Sequence, residues 1–144
     1  MKVLRSIKIE VPSDLQALDE ALLQFDKIYQ DSIPPKDWLQ CRLALAEGFT
    51  NAVRHAHKNL PQDTPIKIEA ILNQTSMEIK IWDCGSAFDL HHFIAETAKN
   101  NPSWLASGRG IPLLNKISTH LDYYRTGRQN CLVILKKFDL SAED

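Results

Sequence analysis

Apolar and polar positions along this chain alternate with two different periods, and the changes of period divide it into elements. Over residues 5–11, Ile7, Ile9 and Val11 fall on one side and Lys8 and Glu10 on the other, the two-residue repeat of a half-buried strand. Pro12 ends it, and Ser13 with Gln16 fits a capping box that opens a helix. Leu15, Leu18, Leu22, Phe25 and Tyr29 then recur at three- and four-residue steps, which predicts a helix over 14–30. Pro34-Pro35 stops it. Pro35 suits the first turn of a second helix, which the pattern carries to about Asn59, ahead of Pro61. Residues 66–72 and 77–82 alternate around Asn73-Gln74-Thr75-Ser76 and predict an antiparallel hairpin; a second pair, around 121–126 and 131–138, brackets Gly127. Between the hairpins, 84–107 carries only a weak helical pattern, and a loop of that length in a compact domain is usually functional or mobile. A short helix from about Ile111 to Thr119 follows Gly108-Arg109-Gly110. With no βαβ alternation, these elements predict an α+β, two-layer α/β sandwich: helices on one face of a mixed, mostly antiparallel sheet.

Composition narrows the function classes. The 144 residues suit one domain, 1–144, and 44% hydrophobic residues suffice for a continuous core. Seventeen basic against 18 acidic residues leave a net charge of -1, which argues against a general phosphate-backbone binder and so against direct nucleic-acid contact. No stretch approaches the roughly 20 apolar residues of a membrane span. MKVLRSIKIE has no apolar signal region, so a cytoplasmic protein is expected. Cys41, Cys84 and Cys131 are scattered and never form CxxC, which makes a disulfide framework or a zinc ribbon improbable.

Three segments carry candidate chemistry. On the second helix, at about 100° per residue, Trp38, Cys41, Leu45, Phe49, Ala52 and Ala56 form one face and Glu47, Asn51, Arg54 and Lys58 the opposite one. Such a polar stripe is ordinarily a solvated face. Here Leu43 and Ala44 flank Glu47, and the i, i+4 spacing sets a carboxylate beside the Asn51 amide oxygen, both ligand types for a hard Mg2+ ion. The strand IKIWDCG then ends on Asp83, an acceptor for an exocyclic amine, with Gly85 admitting a flat ligand; a turn aspartate serving local N–H groups is the plainer account. Finally, Gly108 and Gly110 open a helix, where free N–H groups suit a phosphate; a flexible helix entry is the plainer account. His55, His57, His91, His92 and Cys84 lack metal-binding spacing, and His55 and His57 lie about 200° apart on a helix. Surface or nucleotide-adjacent histidines are the expected reading, and Cys84 that of a small core residue.

Taken in order, LALAEGFTNAVRHAH (43–57), IWDCGSAFDL (81–90) and SGRGIPLLNKIS (107–118) resemble the anti-sigma factor serine-protein kinases, a branch of the GHKL, or histidine-kinase-like ATPase, superfamily. The resemblance covers nearly the whole chain. It implies the GHKL (Bergerat) ATPase fold and an ATP- and Mg2+-dependent protein serine/threonine kinase. Such a kinase phosphorylates an anti-anti-sigma (STAS) protein, sequesters a sigma factor and acts as a homodimer. Carried over residue by residue, Glu47 would be the general base and Asn51 would hold Mg2+. Asp83 would take the adenine amine, Gly85 and Ala87 would lie against the nucleotide, and His55 would be a nucleotide-side residue. Residues 89–107 would form a lid, Gly108 and Gly110 would meet phosphates, and Arg109 would lie by the phosphates or at the partner surface.

The chain departs from the family pattern at three places. Ala87 stands for a second glycine, Pro112 for a third glycine of the later box, and Arg128-Gln129-Asn130 follows Gly127 where the family often has threonine. These departures bear on nucleotide affinity and lid closure, and they support an alternative: a partner-switching module with little kinase activity. The catalytic half of a two-component histidine kinase is disfavoured, since the chain holds no dimerisation helix pair or phospho-accepting helix.

Overall fold

A computed structural model describes residues 2–87 and 110–140. Strand β1 (Val3–Pro12) leads into a 3-10 turn (Leu15–Ala17), helix α1 (Leu18–Phe25) and a second 3-10 turn (Asp26–Ile28). Helix α2 (Pro35–Asn51) continues as a π-helical segment (Ala52–Ala56). Then come β2 (Pro65–Asn73), β3 (Ser76–Asp83), helix α3 (Gly110–Ile117), β4 (His120–Thr126) and β5 (Gln129–Lys137). The sheet order is β1-β2-β3-β5-β4, and all four pairings are antiparallel, so no parallel member appears among the described residues.

Strand alternation puts one apolar row after another on the helix-covered face. Ile68 pairs with Ile81 and Ile81 with Leu132; Ala70 pairs with Ile79, Ile79 with Ile134 and Ile134 with Leu121. These side chains are buried together with Ala21 and Phe25 of α1, Cys41, Leu45 and Phe49 of α2, and Ile111 and Leu114 of α3. The opposite face carries charges in register, such as Lys8–Glu69–Lys80. Gly48 lets α2 approach the sheet closely: a side chain there would begin 2.5 Å from Ile81 Cδ1 and 3.2 Å from Leu132 Cδ2. The two-layer α+β sandwich expected from the pattern is the observed fold.

Local differences have local causes. The expected 14–30 helix is shorter and broken into 3-10, α and 3-10 turns; Asp14, not Ser13, caps its entry by accepting from Gln16 N–H at 3.0 Å, while Ser13 is buried. Leu15 and Tyr29, at the ends of the apolar stripe, are exposed. Pro35 does open α2, which closes its α-helical hydrogen bonding at Asn51 instead of Asn59. In the β2–β3 link, Asn73 Oδ1 accepts from Thr75 N–H at 3.0 Å and Ser76 N–H at 2.8 Å, which fixes the turn. Between β4 and β5 the two-residue loop places Gly127 at φ 61°, a conformation glycine adopts without penalty.

The buried ends of several elements are tied by one ion pair. Asp37, 3% exposed, accepts from Asp139 N–H at 2.8 Å and lies 3.8 Å from Lys136 Nζ, which also donates to Ile117 O at 3.0 Å. Burial, followed by the nearby Asp37 charge, pushes the Cys41 thiol up to about 12, so it stays protonated and inert as a nucleophile.

Candidate functional site

Past its last apolar row the helix-facing side of the sheet turns polar. Asp83 pairs with Asn130, and Asn130 with Arg125, in the row beyond Ile81–Leu132–Tyr123. Asp83 is 2% exposed and Asn130 1%, and such burial requires partners. Asp83 Oδ1 accepts from Gly85 N–H at 2.9 Å and Asn130 Nδ2 at 2.9 Å, and Oδ2 accepts from the Tyr123 hydroxyl at 2.6 Å. Asn130 Nδ2 also lies 3.1 Å from Gly85 O and 3.0 Å from Ser86 O, and Arg125 donates to Gly85 O at 3.0 Å and Asn130 Oδ1 at 3.2 Å. Burial, reinforced by the bond to Asp83, pushes the Tyr123 hydroxyl far above its usual range, so it is a firm donor. A carboxylate offers about four acceptor positions. Three are filled by these contacts, and one on Oδ2 is not.

Beside this network, Asn51, His55, Ala56, Ser86, Ala87 and Tyr123 line a cavity of about 210 Å³. Helix α2 and its π segment supply one wall, the chain after β3 another and β4 the third. The π segment sets the phase: His57 N–H reaches back five residues to Ala52 O at 2.8 Å, so the last turn carries one residue more than an α-turn. His55 lines the cavity and is exposed, whereas His57 is 3% exposed. His57 Nε2 accepts from Cys84 N–H at 2.7 Å. Gly85 seals the same junction, since a side chain there would begin 2.5 Å from Ala56 O. The close approach that glycine permits at Gly85 is to the end of α2.

Of the candidates, Asn51, His55 and Ala87 meet around one cavity, and Asp83 joins them through Tyr123. Glu47 is one turn earlier on α2 and partly buried, outside the cavity lining. Gly110 begins α3; Gly108, Arg109 and the expected lid 89–107 lie outside the described residues. Sequence reasoning passed over Asn130, Tyr123 and Arg125. Asn130 stands where the absent threonine was sought, and the signal that finds it is its pairing with Asp83 across β3 and β5. His57 was noted only as one of several histidines. Cys84 is half-buried, with its N–H held by His57.

The donor set fits an adenine nucleotide. One unfilled carboxylate acceptor beside a cavity suits an exocyclic amine, and the Asn51 amide oxygen suits a Mg2+ ion. Among the described residues, no group of three or more His, Cys, Asp or Glu side chains is clustered for a metal. No described helix is long and apolar enough to cross a membrane.

The serine-protein kinase RsbW of Listeria monocytogenes is 35% identical over 49 residues, which cover 34% of this chain and 31% of that relative. The match thus spans under a third of the relative's length. The solved structure of the Acinetobacter baumannii histidine kinase AdeS is similar with a TM-score of 0.48 at 14% identity, over 94% of this chain and 70% of that one. A family model described as "Histidine kinase-like ATPase domain" matches residues 11–136. With that match spanning most of its length, the chain belongs to the histidine kinase-like ATPase domain family.

Proposed function

We propose that this domain binds ATP with Mg2+ and acts as a protein-serine kinase on an anti-anti-sigma (STAS) partner, while sequestering a sigma factor. The observation that carries this reading is Asp83: a buried carboxylate with one acceptor position left, beside a cavity walled by Asn51 and His55. The family match and the name of the Listeria relative support the kinase assignment. Bound ATP supplies the phosphoryl group, and its Mg2+ neutralises charge on the phosphates. Asp83 accepts the amine of the base, and Tyr123 and Asn130 hold that carboxylate in place. The Asn51 amide oxygen is the ligand for Mg2+. Glu47 takes the proton of the attacking serine hydroxyl. Gly108 and Gly110 offer backbone N–H groups to phosphate, with Arg109 beside them or at the partner surface. A cytoplasmic homodimer without direct nucleic-acid contact completes the proposal, and the near-zero net charge supports the last point.

A second reading, a partner-switching module with little kinase activity, is favoured by Ala87 in the cavity wall and by Pro112 in the first turn of α3, where proline offers no N–H. Calorimetric titration of ATP and ADP, with and without Mg2+, into wild type and Asp83→Asn tests the first reading. Mg2+-dependent binding that collapses in the variant is the expected result. Absence of binding to wild type refutes the nucleotide site and leaves the second reading. If binding holds, Glu47→Ala is expected to keep affinity and lose phosphoryl transfer to STAS proteins. Transfer that survives this change removes Glu47 from the role of base.

A further inference from the structure

We propose that His57, as a neutral imidazole protonated on Nδ1, is a positioning residue that fixes the Asp83–Gly85 segment against the end of α2. The proposal rests on the reading of Asp83 as the carboxylate that receives a nucleotide base. Two walls of the cavity come from different parts of the chain: Asn51 and His55 from α2 and its π segment, Ser86 and Ala87 from the segment after β3. Across that junction, His57 Nε2 accepts from Cys84 N–H at 2.7 Å, and Gly85 rests on the Ala56 carbonyl. Cys84 directly follows Asp83, so the imidazole holds the backbone one residue from the carboxylate.

The acceptor role dictates the tautomer. With Nε2 accepting, the proton of neutral imidazole resides on Nδ1. Nδ1 is buried and makes no hydrogen bond. A buried donor without a partner is a cost that an apolar side chain of similar size would avoid. What the imidazole contributes in return is the Nε2 lone pair aimed at Cys84. Burial holds the ring's affinity for protons below its ordinary value, with the Asp83 charge opposing, which agrees with the neutral form. The π turn is what buries His57 while His55 stays exposed at the cavity.

The test compares wild type with His57→Leu and His57→Gln. Nitrogen-15 NMR of the wild-type imidazole is expected to show Nδ1–H and an unprotonated Nε2. In His57→Leu the affinity for ATP with Mg2+ is expected to fall about tenfold, the scale of one lost hydrogen bond and a displaced partner. His57→Gln, whose amide oxygen can accept from Cys84 N–H, is expected to recover most of it. The position of Asp83 is read separately from the Tyr123 hydroxyl proton, which is expected to shift in the Leu variant and return in the Gln variant. If wild type binds no ATP, the nucleotide reading fails, and the Tyr123 proton and the tautomer still decide the positioning role. An Nε2–H tautomer overturns the proposal, as does a folded Leu variant with wild-type affinity and an unmoved Tyr123 proton. Should the Leu variant not fold, the wild-type tautomer and the Gln variant decide.

Discussion

Replacing Gly85 by alanine isolates the junction between α2 and the segment after β3. The backbone at Gly85 is not in the left-handed region, where Gly127 alone among the described glycines sits, so the new methyl acts through space alone. It would begin 2.5 Å from Ala56 O, 3.0 Å from Ala56 C and 3.1 Å from Ala56 Cα. All three are backbone atoms, with no flexible side-chain end to swing away. Ordinary contact begins at 3.4 Å, so the segment must retreat by about 0.9 Å. A retreat of that size stretches the 2.7 Å His57–Cys84 bond to about 3.6 Å, beyond hydrogen-bonding range. Overpacking costs about 1–3 kcal/mol and the lost bond about 1 kcal/mol, together about 2–4 kcal/mol. For a chain of this length that is a fall in Tm of about 5–15 °C, measured by circular dichroism, with nucleotide affinity followed by calorimetry. A Gly85→Ala protein that melts within about 2 °C of wild type and keeps its affinity refutes the picture of a loop seated on the Ala56 carbonyl.

Other expectations follow from the same contacts. Gly127→Ala, where nothing lies within 4 Å but φ is 61°, should cost only about 1–2 kcal/mol in urea unfolding and leave nucleotide affinity untouched. Asp37→Ala should cost about 3 kcal/mol by the same measurement, near the lower end for a broken buried pair because Lys136 keeps the Ile117 carbonyl; Asp37→Asn, still able to accept from Asp139 N–H, should cost less. His57 is held below its ordinary affinity for protons, so the unfolded chain takes up a proton at higher pH than the folded one does. Its contribution is therefore full above about pH 6.5 and lost as pH falls below that value toward the folded one. His57→Gln should flatten this part of the stability profile between about pH 7.5 and 5.5. Cys41 should remain unlabelled by thiol reagents in the native state until the protein unfolds.

Much of the fold was legible because the sheet's buried face obeys a strict two-residue period: Ile66, Ile68, Ala70 and Leu72, then Met77, Ile79 and Ile81, mark both strands of the first hairpin. Proline and glycine marked the breaks equally well, at Pro12, Pro35 and Gly127. The helix ends were less legible. A period of 3.6 cannot foresee a π turn, so the expected phase held through Phe49 and failed by His57, which the regular helix would not have buried. At the candidate site, Asn51 and Asp83 stood out as polar residues inside recognisable local patterns. Tyr123 and Asn130 did not, because their meaning depends on which strand lies beside β3, and β5 is 47 residues from Asp83 at that pairing. The departure at the family's threonine was legible as a loss; only the pairing shows that Asn130 supplies a side-chain partner to Asp83 in that place.

The wide last turn of α2 also bears on how this chain tolerates changes in length. An extra residue inside a helix ordinarily rotates everything beyond it by about 100° and shifts it by about 1.5 Å. Here the surplus residue is absorbed at Ala52–Ala56, after Glu47 and Asn51 have been placed and just before the link to β2. The upstream polar face keeps its phase whatever the number of residues in that turn. Deleting one residue there would restore regular helical bonding with the N–H of His57 still on the Ala52 carbonyl, so the imidazole would keep its place against Cys84. The junction can therefore outlast a change of length that this one turn takes up.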